Sequence, residues 1–133
     1  MVTDVPSILY VEDDPDTLRL VTLILGRKGF DVTGAMTGRD GLSRMRQTRP
    51  DLVLLDLMLP DIDGWEVFNR MKSDAELAEI PVIVVTARHQ SLDKLLGLHL
   101  SEVREYLSKP FGPQQLVDTV QRVLLGDTSL RAC

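Results

Sequence analysis

Cysteine is almost absent: there is one in 133 residues, and it is the last, Cys133. A lone cysteine closes no intrachain disulfide, so a disulfide scaffold is excluded and a reducing, cytoplasmic setting is expected. Long apolar runs are missing too, with nothing near the ~20 consecutive residues that a helical membrane span needs. Met1 to Pro6 carry neither the basic start nor the apolar run of a secretory signal. Positive charge is in short supply. With 15 Lys and Arg against 20 Asp and Glu, the net charge is −5, which argues against gripping nucleic acid by its phosphates. Repeats, low-complexity tracts and Gly/Ser/Pro linkers do not occur, and neither does the G-x-G-x-x-G dinucleotide fingerprint.

What remains is an ordinary globular composition, 44% hydrophobic and 26% charged. The length predicts one domain, expected over residues 7–125, with residues 1–6 and 126–133 as flexible termini.

Apolar periodicity alternates between two kinds along the chain. Residues 7–11 form a short apolar run of strand character. Asp14 and Pro15 then suit an N-cap and a first helical position, and Leu18, Val21, Ile24 and Leu25 follow at helical spacing up to Gly29. Residues 30–33 read as a weak strand. Thr37 with Asp40 three places later resembles a capping box, opening a helix with Leu42 and Met45 on one face. Residues 51–55 are a strong strand ending at Asp56. After Pro60 and Gly64, the recurrence of Trp65, Phe68 and Met71 predicts a helix to about Ser73 whose stripe is core. Residues 80–85 are a third strong strand, ending at Thr86. Ser91 caps a Leu-rich helix to about Leu100, residues 105–108 form a strand, and Gly112-Pro113 opens a last helix bearing Leu116, Val120, Val123 and Leu124.

Five strand-then-helix units predict an α/β fold with a parallel sheet covered on both faces. The most apolar strands belong in the centre and the more polar ones, near 31 and 106, at the edges. Right-handed crossovers then give strand order 2-1-3-4-5.

In such sheets ligands bind beyond the carboxyl ends of the strands, at the switch in strand order. The residues there are Glu12, Asp13 and Asp14 after the first strand, Asp56 after the third, Thr86 after the fourth and Lys109 after the fifth. Two carboxylates about 4 Å apart repel by roughly 4 kcal/mol at an effective dielectric of 20. A group of them either protonates or binds a cation. An oxygen-only donor set suits Mg²⁺, Mn²⁺ or Ca²⁺ rather than zinc. A cation, a lysine and a hydroxyl together match the oxygens of a phosphoryl group, which Asp56 could accept as an aspartyl phosphate.

These residues resemble the receiver domain of two-component response regulators, the superfamily that includes the chemotaxis regulator. The likeness rests on four motifs: I-L-Y-V-E-D-D-P, D-L-V-L-L-D-L-M-L-P-D-I-D-G, I-P-V-I-V-V-T-A and Y-L-S-K-P-F. They occur in order and at strand ends, and the resemblance spans residues 7 to about 125. It implies a flavodoxin-like (βα)5 three-layer sandwich. It makes Asp56 the phosphoacceptor and Mg²⁺ (or Mn²⁺) the cofactor. The ion would be held by Asp13, Asp56 and the backbone carbonyl of Met58, with Glu12 acting through water or nearby. Lys109 and Thr86 would bind phosphoryl oxygens, Tyr106 would be an aromatic switch, and Met58 and Arg88 would tune hydrolysis. Lys109-Pro110 would be cis.

A histidine kinase or phosphotransfer protein is the implied phosphoryl donor. A downstream protein or effector domain would read the face made by the helix over 91–100, the strand over 105–108 and the last helix. Homodimers through that face are common in the family. No direct nucleic-acid or membrane contact is implied. Catalysis would be confined to the domain's own phosphorylation and dephosphorylation. The segment before Lys109 departs from the family: it looks one residue longer, and Ser101 stands where glycine is usual. That implies an unusual loop beside the output face.

Three other readings compete. A phosphatase of the haloacid dehalogenase type needs Asp-x-Asp, and Asp56-Leu57-Met58 lacks it. A flavin or nucleotide binder needs a phosphate-cradling loop where this chain has Glu12-Asp13-Asp14. A pseudo-receiver that binds partners without phosphorylation is the alternative that keeps the same fold.

Overall fold

A computed structural model describes residues 5–87 and 103–125, apart from the side chain of Thr86. In chain order the described elements are β1 (Ser7–Val11), α1 (Pro15–Gly26), β2 (Asp31–Ala35), α2 (Gly38–Thr48), β3 (Leu52–Asp56), α3 (Gly64–Ser73), β4 (Val82–Ala87), β5 (Glu105–Lys109) and α4 (Pro113–Leu125). The helix expected over 91–100, Arg88, Ser101 and Cys133 lie outside the described residues.

The strands form one sheet in the order β2-β1-β3-β4-β5, and every pairing is parallel. The apolar strands are central and the more polar β2 and β5 are the edges, as expected. Because successive strand residues point to opposite faces, β1 serves two cores. Leu9 and Val11 pack with Leu42 and Met45 of α2 and with Trp65, Phe68 and Met71 of α3. Ile8 and Tyr10 pack with Val21 and Leu25 of α1 and with Leu116 and Val120 of α4. The result is a sheet sandwiched between two helical layers, and the Trp65 stripe is core. Among the described residues, no helix is long and apolar enough to cross a membrane.

Two helix starts follow from local chemistry. Asp14 caps α1, its side chain accepting from the Thr17 amide, with Pro15 next. Thr37 caps α2 by accepting from the Asp40 amide at 3.0 Å. Only half of the expected box forms, because the Asp40 carboxylate pairs with Arg44 instead.

Several boundaries differ from the sequence expectation. Helix α1 ends at Gly26 rather than Gly29. Gly29 sits in the following turn at φ 94, a conformation glycine adopts at no steric cost, and the Phe30 amide closes that turn on the Leu25 carbonyl. Strand β2 runs over Asp31–Ala35 rather than 30–33, because pairing with β1 sets its register from Ser7↔Asp31 to Val11↔Ala35. Phe30 turns inward against the α1/α4 core. Strand β3 covers Leu52–Asp56 rather than 51–55, and Asp51 instead accepts from the Ser7 amide. Strand β4 covers Val82–Ala87 rather than 80–85, because the Ile80 amide is committed to a turn with the Leu77 carbonyl. Strand β5 runs one residue further than expected, to Lys109.

Candidate functional site

The carboxyl ends of β1, β3 and β5 bring Glu12, Asp56 and Lys109 together. Lys109 Nζ donates to Glu12 Oε1 at 2.7 Å and to Asp56 Oδ2 at 2.8 Å. The Met58 amide donates to Asp56 Oδ1 at 2.9 Å. The phosphoacceptor candidate is thus fixed through both oxygens. Glu12 is 1% exposed and Asp56 3%, whereas Asp13 is exposed beside them. Carboxylate oxygens of Glu12, Asp13 and Asp56 lie within 4.8 Å of one another. An all-oxygen set of this kind, open on the Asp13 side, fits a hard divalent cation.

Burial dominates the electrostatics. It pushes the Asp56 carboxyl up to about 6, with Lys109 and the Met58 amide pulling the other way and Glu12 adding to the rise. Burial acts on Glu12 in the same sense, but hydrogen bonds from Lys109, the Asp14 amide and Tyr10 outweigh it and hold Glu12 below the usual carboxylate range. Burial alone would lower Lys109. The two carboxylates outweigh that and keep it charged.

The remaining expected site residues are distributed as follows. Met58 is 57% exposed, on a shallow hollow that it lines with Asp13, Leu59 and Asp63. Asp14 is the α1 cap, as its sequence position suggested. Thr86 lies in β4 in register with Ser108. Tyr106 is half-buried on β5, packed against the α2/α3 core. The Lys109-Pro110 bond is cis.

Three contributors were not anticipated. Tyr10, inside the α1/α4 core, donates its hydroxyl to Glu12 Oε1 at 2.8 Å. Its only sequence signal is a spacing of two from Glu12, which puts both on one side of an extended chain. Asp61 accepts from the Gly38 and Arg39 amides at 2.8 and 3.0 Å, tying the loop after Asp56 to the start of α2. Gly64 lets α3 approach that loop: a Cβ there would lie 2.5 Å from the Asp56 carbonyl oxygen and 2.5 Å from the Leu57 Cα.

The response regulator receiver domain family matches residues 8–121. Protein PilH of Pseudomonas aeruginosa is 38% identical over 119 residues, covering 90% of this chain and 98% of that protein. The transcriptional regulator RpaA of Synechocystis is 40% identical over 119 residues, or 90% of this chain. The chain spans 49% of the length of RpaA and a similar share of other DNA-binding relatives. Among solved structures, a response regulator from Chloroflexus aurantiacus superposes with a TM-score of 0.84 at 30% identity, covering 92% of this chain and 99% of that one. On its fold, its motifs and these matches, the chain belongs to the receiver domain family of two-component response regulators.

Proposed function

We propose that Asp56 accepts a phosphoryl group from the phosphohistidine of a partner kinase or phosphotransfer protein, and that this switches a partner-binding face. The observation that carries the reading is the double anchorage of Asp56, between the Met58 amide and Lys109, with Glu12 and Asp13 alongside. Glu12, Asp13, Asp56 and the Met58 carbonyl would hold Mg²⁺ or Mn²⁺. When bound, the ion supplies the positive charge that offsets repulsion between carboxylate and phosphoryl oxygens.

The chain's own residues do the rest. One Asp56 oxygen forms the new O–P bond as the partner's N–P bond breaks, and the imidazole nitrogen leaves with the bonding pair. Lys109 exchanges its bond to Asp56 for one to a phosphoryl oxygen, and the Thr86 hydroxyl takes another. The added negative charge shifts a pre-existing equilibrium between two states. Tyr106, half-buried on the edge strand β5, would report that shift at the face made by the helix expected over 91–100, β5 and α4. That face would engage a downstream protein, an effector domain or a second copy.

The test is intact mass after incubation with acetyl phosphate, with and without Mg²⁺, beside Asp56→Asn. One phosphoryl adduct that requires both Mg²⁺ and Asp56 is expected. No adduct under any condition would replace this reading with that of a phosphorylation-independent binding module.

A further inference from the structure

Tyr10 sits in the apolar core beneath α1 and α4, among Ile8, Leu25, Leu54 and Leu116. Its ring is fully buried, so its hydroxyl must meet a protein partner or leave a costly unsatisfied group. The partner is Glu12 Oε1, the same oxygen that receives Lys109. The other oxygen, Oε2, accepts from the Asp14 amide at 3.0 Å. Glu12 is therefore held from three sides: by the core through Tyr10, by the cap of α1, and by β5 through Lys109.

We propose that Tyr10 is a positioning residue of the acidic site, its hydroxyl locking the Glu12 carboxylate in the orientation that a divalent cation requires. This rests on the reading of Glu12, Asp13 and Asp56 as the cation site. Tyr10 touches no cation and no substrate; it acts only through Glu12. The arrangement depends on glutamate. An aspartate at position 12 is one methylene shorter, which draws the carboxylate back from the buried hydroxyl. Groups that orient metal ligands from behind typically contribute 10- to 100-fold to affinity.

Calorimetric titration of the intact chain with MgCl₂ tests this. Tyr10→Phe keeps the ring in the core and should weaken binding about 10-fold. In a Glu12→Asp background, where the hydroxyl has lost its partner, Tyr10→Phe should change affinity by no more than about 2-fold, the scatter of independent sites. Wild-type affinity in Tyr10→Phe would overturn the proposal. So would an equal loss in both backgrounds, which would mark Tyr10 as a packing residue only.

A second readout needs no cation. The ¹³C resonance of the Glu12 carboxylate should move in Tyr10→Phe, and the Tyr10 Cζ resonance should move in Glu12→Asp, a variant that replaces no apolar core side chain. Unmoved resonances would refute the coupling. Failure of the wild type to bind Mg²⁺, with the resonances moving as expected, would instead refute the cation-site reading.

Discussion

Gly64→Ala sets two effects of opposite sign against each other, and the structure decides between them. Alanine has the better helix propensity, by up to about 1 kcal/mol within a helix and less at its first position, where Gly64 lies. Against that, the new Cβ would sit 2.5 Å from the Asp56 carbonyl oxygen and 2.5 Å from the Leu57 Cα, whereas ordinary contact begins at 3.4 Å. Both obstacles are backbone, so no rotamer change relieves the clash. Either α3 or the turn after Asp56 must move by about 1 Å. Overpacking of this kind costs about 1–3 kcal/mol, and the net effect is destabilising.

With a urea slope of about 1–3 kcal/mol per molar, the unfolding midpoint should fall by roughly 1 M. The same displacement moves the turn that anchors Asp56 Oδ1 on the Met58 amide, so Mg²⁺-dependent phosphorylation should slow as well. Gly26→Ala is the control. Nothing lies within 4 Å of its Cβ position, so it should stabilise by about 0.4–1 kcal/mol. A Gly64→Ala midpoint equal to or above wild type, with the control behaving as stated, would refute the close-approach reasoning.

Asp56→Asn should be more stable than wild type in the absence of divalent cations at neutral and alkaline pH. The folded carboxyl, pushed up to about 6, binds its proton more tightly than the unfolded one. Wild-type stability is therefore lost as pH rises from about 4 to 6, and the variant should gain about 1–3 kcal/mol near pH 8 and little at pH 4; urea titrations at both pH values check this, and a variant less stable at both would contradict it. Asp61→Ala should cost about 1 kcal/mol at neutral pH by uncapping α2. Burial raises the Asp61 carboxyl, but the Arg39, Gly38 and Ile62 amides together outweigh it and hold it down to about 2. Its contribution is thus present above the ordinary aspartate pKa and fades as pH falls towards 2, where the two proteins should converge in thermal melts. The exposed Met58 side chain beside Asp56 should obstruct attacking water, giving a slow to moderate loss of the phosphoryl adduct by time-resolved intact mass; decay within seconds would count against that role.

The sequence by itself determined the alternation of elements, the central and edge strands, and the caps at Asp14 and Thr37. Those signals are local: a cap and its amide partner lie within one helical turn, and strand burial shows in a short run of residues. It also indicated the meeting of Glu12, Asp56 and Lys109, because parallel strands place their carboxyl ends side by side once the strand order is known. Element ends were less legible. The ends of α1, β2 and β4 depend on the turn through Gly29, on the pairing of β2 with β1, and on the turn at Ile80.

Only the tertiary structure decided the contacts that hold the site in place. Tyr10 reads as one more core residue until the strand end turns Glu12 back onto its hydroxyl. Asp61 reads as a loop acid until the fold sets the amides of α2 beside it, 22 and 23 residues away in the chain. Gly64 reads as a turn residue until α3 comes down on the Asp56–Leu57 backbone. The partners of Asp61 and Gly64 are chosen by packing that neither periodicity nor spacing carries along the chain; for Tyr10 the spacing hints at Glu12, and only the conformation at the end of β1 makes the contact.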